Sequence, residues 1–274
     1  MIPVALGPDP WLVMGILNVT PDSFHDGGRF ASLEAAVARA GEMAAAGAGI
    51  IDVGGESTRP GSMPVDAGEE LRRAIPVIQK IAPRLRVPVS IDTRKAAVAR
   101  EALRAGAAMI NDVTALRDDP EMAAVAAAAG CPVCLMHMLG EPGTMQDNPR
   151  YEDVVGDIIS FFEERVRFAV SRGIRRENII IDPGMGFGKT VQHNLEILRR
   201  LDEFLALGLP LMIGASRKSF IGKVTGEEET GKRLAGTIAT TVASFQRGAR
   251  VFRVHDVAEN VQALKIAEAI RGAR

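Results

Sequence analysis

The sequence predicts an α/β fold, a (β/α)8 barrel of the TIM-barrel type, in one domain spanning residues 1–274. Three observations predict it. Eight short apolar runs recur along the chain, eight helical patterns alternate with them, and nearly every run ends in a polar residue. Runs that are apolar on both faces are what a parallel sheet covered by helices requires. An open doubly wound sheet would show the same alternation, but it gathers its ligand at one switch point. Here polar residues follow nearly every run, which favours a closed barrel with its chemistry in the loops after the strands. A chain of 274 residues suits one barrel of roughly 250 residues and leaves no room for a second domain.

The first run, 12–17, ends at Asn18 and enters the loop Asn18-Val19-Thr20-Pro21-Asp22-Ser23-Phe24, followed by Asp26-Gly27-Gly28. Glycines, a proline and small polar residues suit a lid or anion-binding loop. Asn18 can offer its amide oxygen to Mg2+ or its NH2 to a phosphate. A helix over 32–46 follows, with Ser32 expected at its N-cap and Gly47 where a C-cap belongs. The second run, 49–53, carries Asp52 and opens the loop Gly54-Gly55-Glu56-Ser57-Thr58-Arg59-Pro60-Gly61. Its glycines let backbone approach a ligand, and Thr58 and Arg59 supply a hydroxyl and a fixed cation. A helix is expected at 67–82.

The third run, 88–91, ends at Asp92 and precedes a helix at 94–105; the fourth, 108–110, ends at Asn111-Asp112 and precedes one at 120–129. Gly106 and Gly130 stand at the ends of these helices. The fifth run, 132–136, ends at His137, which is read as structural. Its Cys131 and Cys134 form a C-x-x-C, but three residues apart on a strand they point to opposite faces, so core packing is expected rather than redox chemistry. A helix at 151–172 closes at Gly173.

The sixth run, 179–181, ends at Asp182 and continues as Pro183-Gly184-Met185-Gly186-Phe187-Gly188-Lys189-Thr190. This stretch is no nucleotide phosphate loop, because the glycine needed six residues before the lysine is replaced by Pro183. Its glycines instead shape a loop around a flat ligand, with Phe187 available for packing. A helix at 194–207 follows. The seventh run, 211–213, leads to Ser216-Arg217-Lys218-Ser219, and a helix is expected at 231–247. The eighth, 251–254, carries Arg253 and leads to His255 and a last helix at 256–271. Loops after strands seven and eight of such barrels often bind phosphate. Arg253 and His255 alternate along extended chain and so share a side.

Asp92, Asn111 and Asp182 each terminate a different strand. A buried carboxylate is costly unless paired or bound to a ligand donor, and a heterocycle with an amidine-like edge presents two parallel N–H groups to one carboxylate, much as arginine does. Two carboxylates plus an amide therefore suit a pterin, a purine or a pyrimidinone. Composition narrows the partners. Lys and Arg total 33 against 34 Asp and Glu, for a net charge of −1, so no basic excess exists to bind nucleic acid. The apolar stretch 122–140 is cut by Gly130-Cys131-Pro132 and is read as a helix end plus a strand, not a membrane span. Met1 to Leu12 has no basic stretch and apolar core of a secretion signal, so a cytoplasmic location is expected.

Taken together, N-V-T-P-D-S-F, D-V-G-G-E-S-T-R-P-G, S-I-D-T, N-D-V, D-P-G-M-G-F-G-K, S-R-K-S-F and R-V-H-D, in this order from Asn18 to Asp256, closely resemble the bacterial dihydropteroate synthases. The resemblance implies a (β/α)8 barrel. It implies condensation of 6-hydroxymethyl-7,8-dihydropterin diphosphate with p-aminobenzoate to give 7,8-dihydropteroate and pyrophosphate, with Mg2+ and a homodimer. By motif, Asp92, Asn111, Asp182 and Lys218 would hold the pterin. Arg253 would lie against it and, with His255 and Asn18, would bind the diphosphate and its Mg2+. Thr58, Arg59, Pro60, Phe187 and Ser219 would line the p-aminobenzoate end. Asp92, Lys218 and Arg253 are the expected catalytic groups. His25 stands where the family usually has Ser, a departure that bears on closure of the first loop.

Overall fold

The computed structural model describes residues 11–20, 28–57, 62–141 and 143–273. Its strands are β1 Leu12–Asn18, β2 Ile50–Gly54, β3 Val89–Asp92, β4 Met109–Asp112, β5 Val133–Met136, β6 Ile179–Asp182, β7 Met212–Ile213 and β8 Val251–Val254. All pairings are parallel, in the order β6-β5-β4-β3-β2-β1-β8-β7. A parallel bridge between Ile181 and Leu211 joins the two ends of this sheet and closes the barrel. Each expected apolar run forms one of these strands.

Strand alternation decides what lies inside. Met14, Ile50, Met109, Cys134, Ile180, Met212 and Val251 form a closed apolar plug in the barrel interior. Two residues further along a strand the side chain faces the same way. That step leads from Ile50 to Asp52, from Met109 to Asn111, from Ile180 to Asp182 and from Val251 to Arg253. The polar groups therefore stand directly above the plug, at the mouth that the carboxyl ends of the strands define. Cys131 belongs to the outer core and Cys134 to the plug. The two thiols thus occupy opposite faces of the sheet, and burial pushes both above the ordinary thiol value, Cys131 to about 11.

The helices are α1 Gly28–Ala45, α2 Ala67–Ile81, α3 Ala96–Arg104, α4 Met122–Ala129, α5 Val154–Ser171, α6 Val191–Arg199, α7 Ser219–Thr225, α8 Leu234–Gln246 and α9 Val257–Gly272. They pack their apolar stripes on the outer face of the sheet, as Ala74, Val77, Ile78 and Ile81 of α2 illustrate. Gly47, Gly106, Gly130 and Gly173 all adopt positive φ at helix ends, as expected of C-caps.

Three expectations are corrected. Helix α1 starts at Gly28, so Ser32 lies inside it rather than at its cap; serine is a tolerable interior residue, and propensity alone does not set the start. The helix expected at 194–207 ends at Arg199 and continues as a 3-10 segment, Leu201–Leu207. The apolar residues Leu201, Phe204 and Leu207 recur every third position, which matches three residues per turn better than 3.6. Helix α7, between strand β7 and the helix expected at 231–247, follows from no periodic apolar pattern in the sequence; its start instead carries the Lys218 and Ser219 of the S-R-K-S motif.

Candidate active site

The mouth of the barrel is organised around one guanidinium. Arg253 donates from Nε to Asp52 Oδ2 at 2.7 Å and from Nη2 to Asp92 Oδ2 at 2.6 Å. Asn111 Nδ2 donates to the same Asp52 oxygen at 3.0 Å. Strand register explains the chain of contacts: Asp92 pairs with Asn111 across β3 and β4, and Asp52 lies one strand away on β2. Asp52 is fully buried, and its second oxygen, like the hydroxyl of Ser90 on β3, receives no hydrogen bond from the described residues.

Two carboxylates share one cation here, and the cluster lies away from water. Burial pushes Asp92 up to about 7; Arg253 opposes the shift, while Asp52, Glu70 and Asp112 add to it. Burial acts downward on Arg253, but the carboxylates of Asp52 and Asp92 outweigh it and raise the guanidinium above its ordinary value, so it stays charged.

Asp182 and Lys218 complete the mouth from β6 and from the loop after β7. Asp182 accepts the backbone N–H of Gly184 at 2.8 Å, and burial raises its carboxyl although Lys218 pulls the other way. Lys218 Nζ donates to the Met185 carbonyl and stands 4.4 Å from the centre of the Phe187 ring. Burial brings this ammonium down to about 8, with Asp182 opposing the shift. Asp92, Asn111, Asp182, Lys218 and Arg253, drawn from five different strands or strand ends, are thereby brought together as expected.

The flanking residues fall around this centre. Asn18 is half-buried at the end of β1; a Cβ on Gly54 would lie 3.7 Å from its Oδ1 and 3.6 Å from Asp92 Oδ2, so the bare backbone of Gly54 separates the two groups. His255 Nδ1 lies 3.0 Å from Ser216 Oγ, and its backbone N–H donates to the same hydroxyl at 3.2 Å. His255 and Ser216 thus form a pair beside Arg217, whose Nε donates to Asp256 Oδ2 at 2.9 Å. Ser219 is exposed at the start of α7. Phe187 is half-buried against Val113, Met136, Met138 and Met145. Thr58, Arg59 and Pro60, with Pro21 to Gly27 and so His25, lie outside the described residues. Among the described residues, no three His, Cys, Asp or Glu side chains cluster as a metal cage. Mg2+ bound chiefly through phosphate oxygens and water needs only one or two protein oxygens, which the Asn18 amide can supply.

Two further residues shape the site without lining it. His137 is buried with its ring edge-on to Phe161, 4.8 Å between centroids. Lys189, also buried, places Nζ 3.0 Å from His137 Nδ1 and 3.0 Å from the Phe187 carbonyl. Burial lowers both groups well below their ordinary values; Lys189 and Arg117 add to the shift of His137, and Lys218 adds to that of Lys189, which Asp182 opposes. The pair ties the loop after β6 to the end of β5. Sequence reasoning missed Asp52 as the second partner of Arg253; its position two residues beyond the inward-facing Ile50 was the available signal.

The sequence profile of the family described as pterin binding enzyme matches residues 14–255. The dihydropteroate synthase of Synechocystis sp. is 49% identical over 258 residues, 94% of this chain and 89% of that protein. Among solved structures, the Xanthomonas albilineans dihydropteroate synthase with 4-aminobenzoic acid superposes with a TM-score of 0.92 at 46% identity, covering 97% of this chain and 95% of that one. A structure of dihydropteroate synthase from the same organism with 7,8-dihydropteroate gives 0.89 at 44% identity, with 97% and 95% covered.

Two outcomes are expected of this geometry. A Cβ on Gly184, where φ is +70°, would lie 1.9 Å from the His137 carbonyl oxygen. Gly184→Ala should therefore cost about 2–5 kcal/mol in urea unfolding; a loss below about 1 kcal/mol would show that the two loops are not pressed together. The second concerns linkage. Asp92 titrates near 7 in the folded chain against about 3.9 unfolded, so the folded state holds the extra proton in between, and stability falls as pH rises across that window. Asp92→Asn removes this term and should raise the melting temperature at pH 8, the gain shrinking towards pH 4. A lower melting temperature than wild type at pH 8 would contradict the raised carboxyl.

Proposed function

The chain belongs to the family of pterin binding enzymes, and from that membership we propose that it condenses 6-hydroxymethyl-7,8-dihydropterin diphosphate with p-aminobenzoate, forming 7,8-dihydropteroate and pyrophosphate. The observation that carries this reading is the joint presence, in one mouth, of acids and an amide suited to a flat nitrogen heterocycle and of cations suited to its diphosphate. The names of the aligned relatives and the ligands of the aligned structures agree with it.

In this reading Asp92, Asn111 and Asp182 accept and donate hydrogen bonds around the pterin ring, a carboxylate taking two parallel N–H groups at once. Lys218, placed between Asp182 and the Met185 carbonyl, binds an acceptor of the ring. Arg253 lies against the pterin and faces the diphosphate, with Asn18 and His255 on the same side. Phe187 and Ser219, with Thr58, Arg59 and Pro60, line the p-aminobenzoate end. Mg2+, held by the Asn18 amide oxygen and the substrate's phosphates, would supply charge neutralisation for the departing pyrophosphate.

The residues then favour a dissociative substitution. Loss of pyrophosphate from the methylene leaves a cation that the electron-rich dihydropterin delocalises. The ionised Asp92, fixed beside the ring by Arg253, stabilises that positive charge without having to reorganise. Lys218 and Arg253 favour the leaving anion, and the aniline nitrogen of p-aminobenzoate closes the C–N bond and gives up one of its two protons to water. No side chain acts as a nucleophile, so no covalent enzyme intermediate forms. The family reading also implies a homodimer acting on small molecules; the net charge of −1 supports the proposal that no nucleic acid is a partner, and we further propose a cytoplasmic enzyme without a membrane partner. No helix among the described residues is long and apolar enough to cross a membrane.

Mixing both substrates with Mg2+ should release pyrophosphate in step with dihydropteroate; no release would end this reading. Asp92→Asn should lower kcat by about 10²-fold, the scale of losing one preorganised electrostatic contact, while pyrophosphate binding changes little. The chemistry needs Asp92 ionised and Lys218 protonated, which titrate near 7 and near 8. Plotted against pH, kcat/KM should therefore climb through about 7 and decline beyond about 8, and a profile flat from pH 6 to 9 would rule out those assignments.

A further inference from the structure

Arg217 sits in the middle of the S-R-K-S motif with φ +58°, in the left-handed region that a non-glycine residue adopts only at some cost. Its neighbours on either side belong to the site: Ser216 holds His255, and Lys218 reaches Met185 and Phe187. The unusual φ is what allows consecutive residues to serve these two directions.

The conformation is held from α8 and its approach. The Arg217 N–H donates to Thr237 Oγ1 at 3.0 Å, and Thr237, fully buried, donates in turn to the Arg233 carbonyl at 2.9 Å. Arg233 Nη1 donates to the Arg217 carbonyl at 3.1 Å. The same guanidinium also takes the carbonyls of Glu227, at 3.1 Å, and of Glu228. Both backbone polar groups of Arg217 are therefore gripped by two residues one helical turn apart. Its side chain is tied separately to Asp256.

We propose that Arg233 and Thr237, which do not reach the mouth of the barrel, are positioning residues for the reaction: they clamp Arg217 in its left-handed turn and so aim Ser216 at His255 and Lys218 into the pterin pocket. The inference rests on the functional reading above, since it treats Lys218 and His255 as contacts of pterin and diphosphate.

The test is a coupling experiment. Thr237→Val keeps the shape and removes the acceptor for the Arg217 N–H; Thr237→Ser keeps it. With Thr237 intact, Arg217→Gly and Arg217→Ala lose the same ion pair and should have equal kcat/KM for the pterin diphosphate, because the clamp imposes the turn on both. In the Thr237→Val background the alanine variant should fall about tenfold below the glycine variant, which takes positive φ unaided, a factor equivalent to about 1.4 kcal/mol. Thr237→Ser should stay within about twofold of wild type, and melting curves establish that each variant is folded. A role confined to stability would leave the glycine-to-alanine ratio the same in both backgrounds, and that result overturns the clamp. Should wild type release no pyrophosphate, the functional reading fails on its own. Titration of the same variants with inorganic pyrophosphate then decides the clamp by the same ratio, and equal affinities would reject it.

Discussion

Arg253 shared between Asp52 and Asp92 is the contact on which the mouth of the barrel depends. Neither carboxylate is tolerable alone above an apolar plug, since burial of an unpaired charge costs more than any one hydrogen bond returns. One guanidinium serves both. Burial raises the Asp92 carboxyl to about 7; Arg253 opposes the shift, while Asp52, Glu70 and Asp112 add to it. Strand register makes the arrangement possible, because β8, β1, β2 and β3 are successive neighbours and set Arg253, Asp52 and Asp92 around one side of the interior.

The division of labour along each strand is equally physical. The buried end of the barrel is filled by methionine, isoleucine, valine and Cys134, and one step of two residues exchanges this apolar layer for a polar one. Cys134 is therefore a packing residue directly under the site. Lys189 and His137 show a similar economy one loop away: burial lowers both groups well below their ordinary values, and the contacts of Lys189 Nζ with His137 Nδ1 and the Phe187 carbonyl tie down the backbone of the β6 loop.

Legibility in the sequence followed the same distinction between strand-borne and loop-borne information. Apolar runs with polar ends identified all eight strands and placed Asp92, Asn111, Asp182, Lys218 and Arg253 in one mouth, because alternation along a strand is a local property. The same rule marked Asp52 as a polar run end, but not as a partner of Arg253. Helix α7 and the left-handed Arg217 could not be read in this way, since no periodic apolar pattern marks that helix and the Arg217 turn depends on contacts between segments distant in sequence. Arg217 is tied to Thr237 twenty residues later and to Asp256 beyond that; nothing in the local string S-R-K-S distinguishes a strained turn from a relaxed one. Thr58, Arg59 and Pro60 were legible as a motif only.

The low dielectric that makes this cluster costly to assemble is also what makes it effective. In water, a carboxylate beside a developing cation is worth about 1 kcal/mol at 4 Å; in surroundings of effective dielectric near 20 the same pair is worth about four times that. Asp92 must be ionised to act in this way; burial raises its carboxyl to about 7, and Arg253 is the group that opposes the rise. In the proposed reaction the guanidinium would therefore have two consequences that cannot be separated by position: it would lower the cost of the negative charge beneath the pterin and direct positive charge towards the departing pyrophosphate. As the substrate ionises in that reaction, Asp92 would meet a new cation at one edge while Arg253 would meet a new anion at another. The carboxylate–guanidinium pair thus resembles, before any substrate arrives, the separation of charge that the proposed reaction has to create, and its dipole is held between β8 and β3.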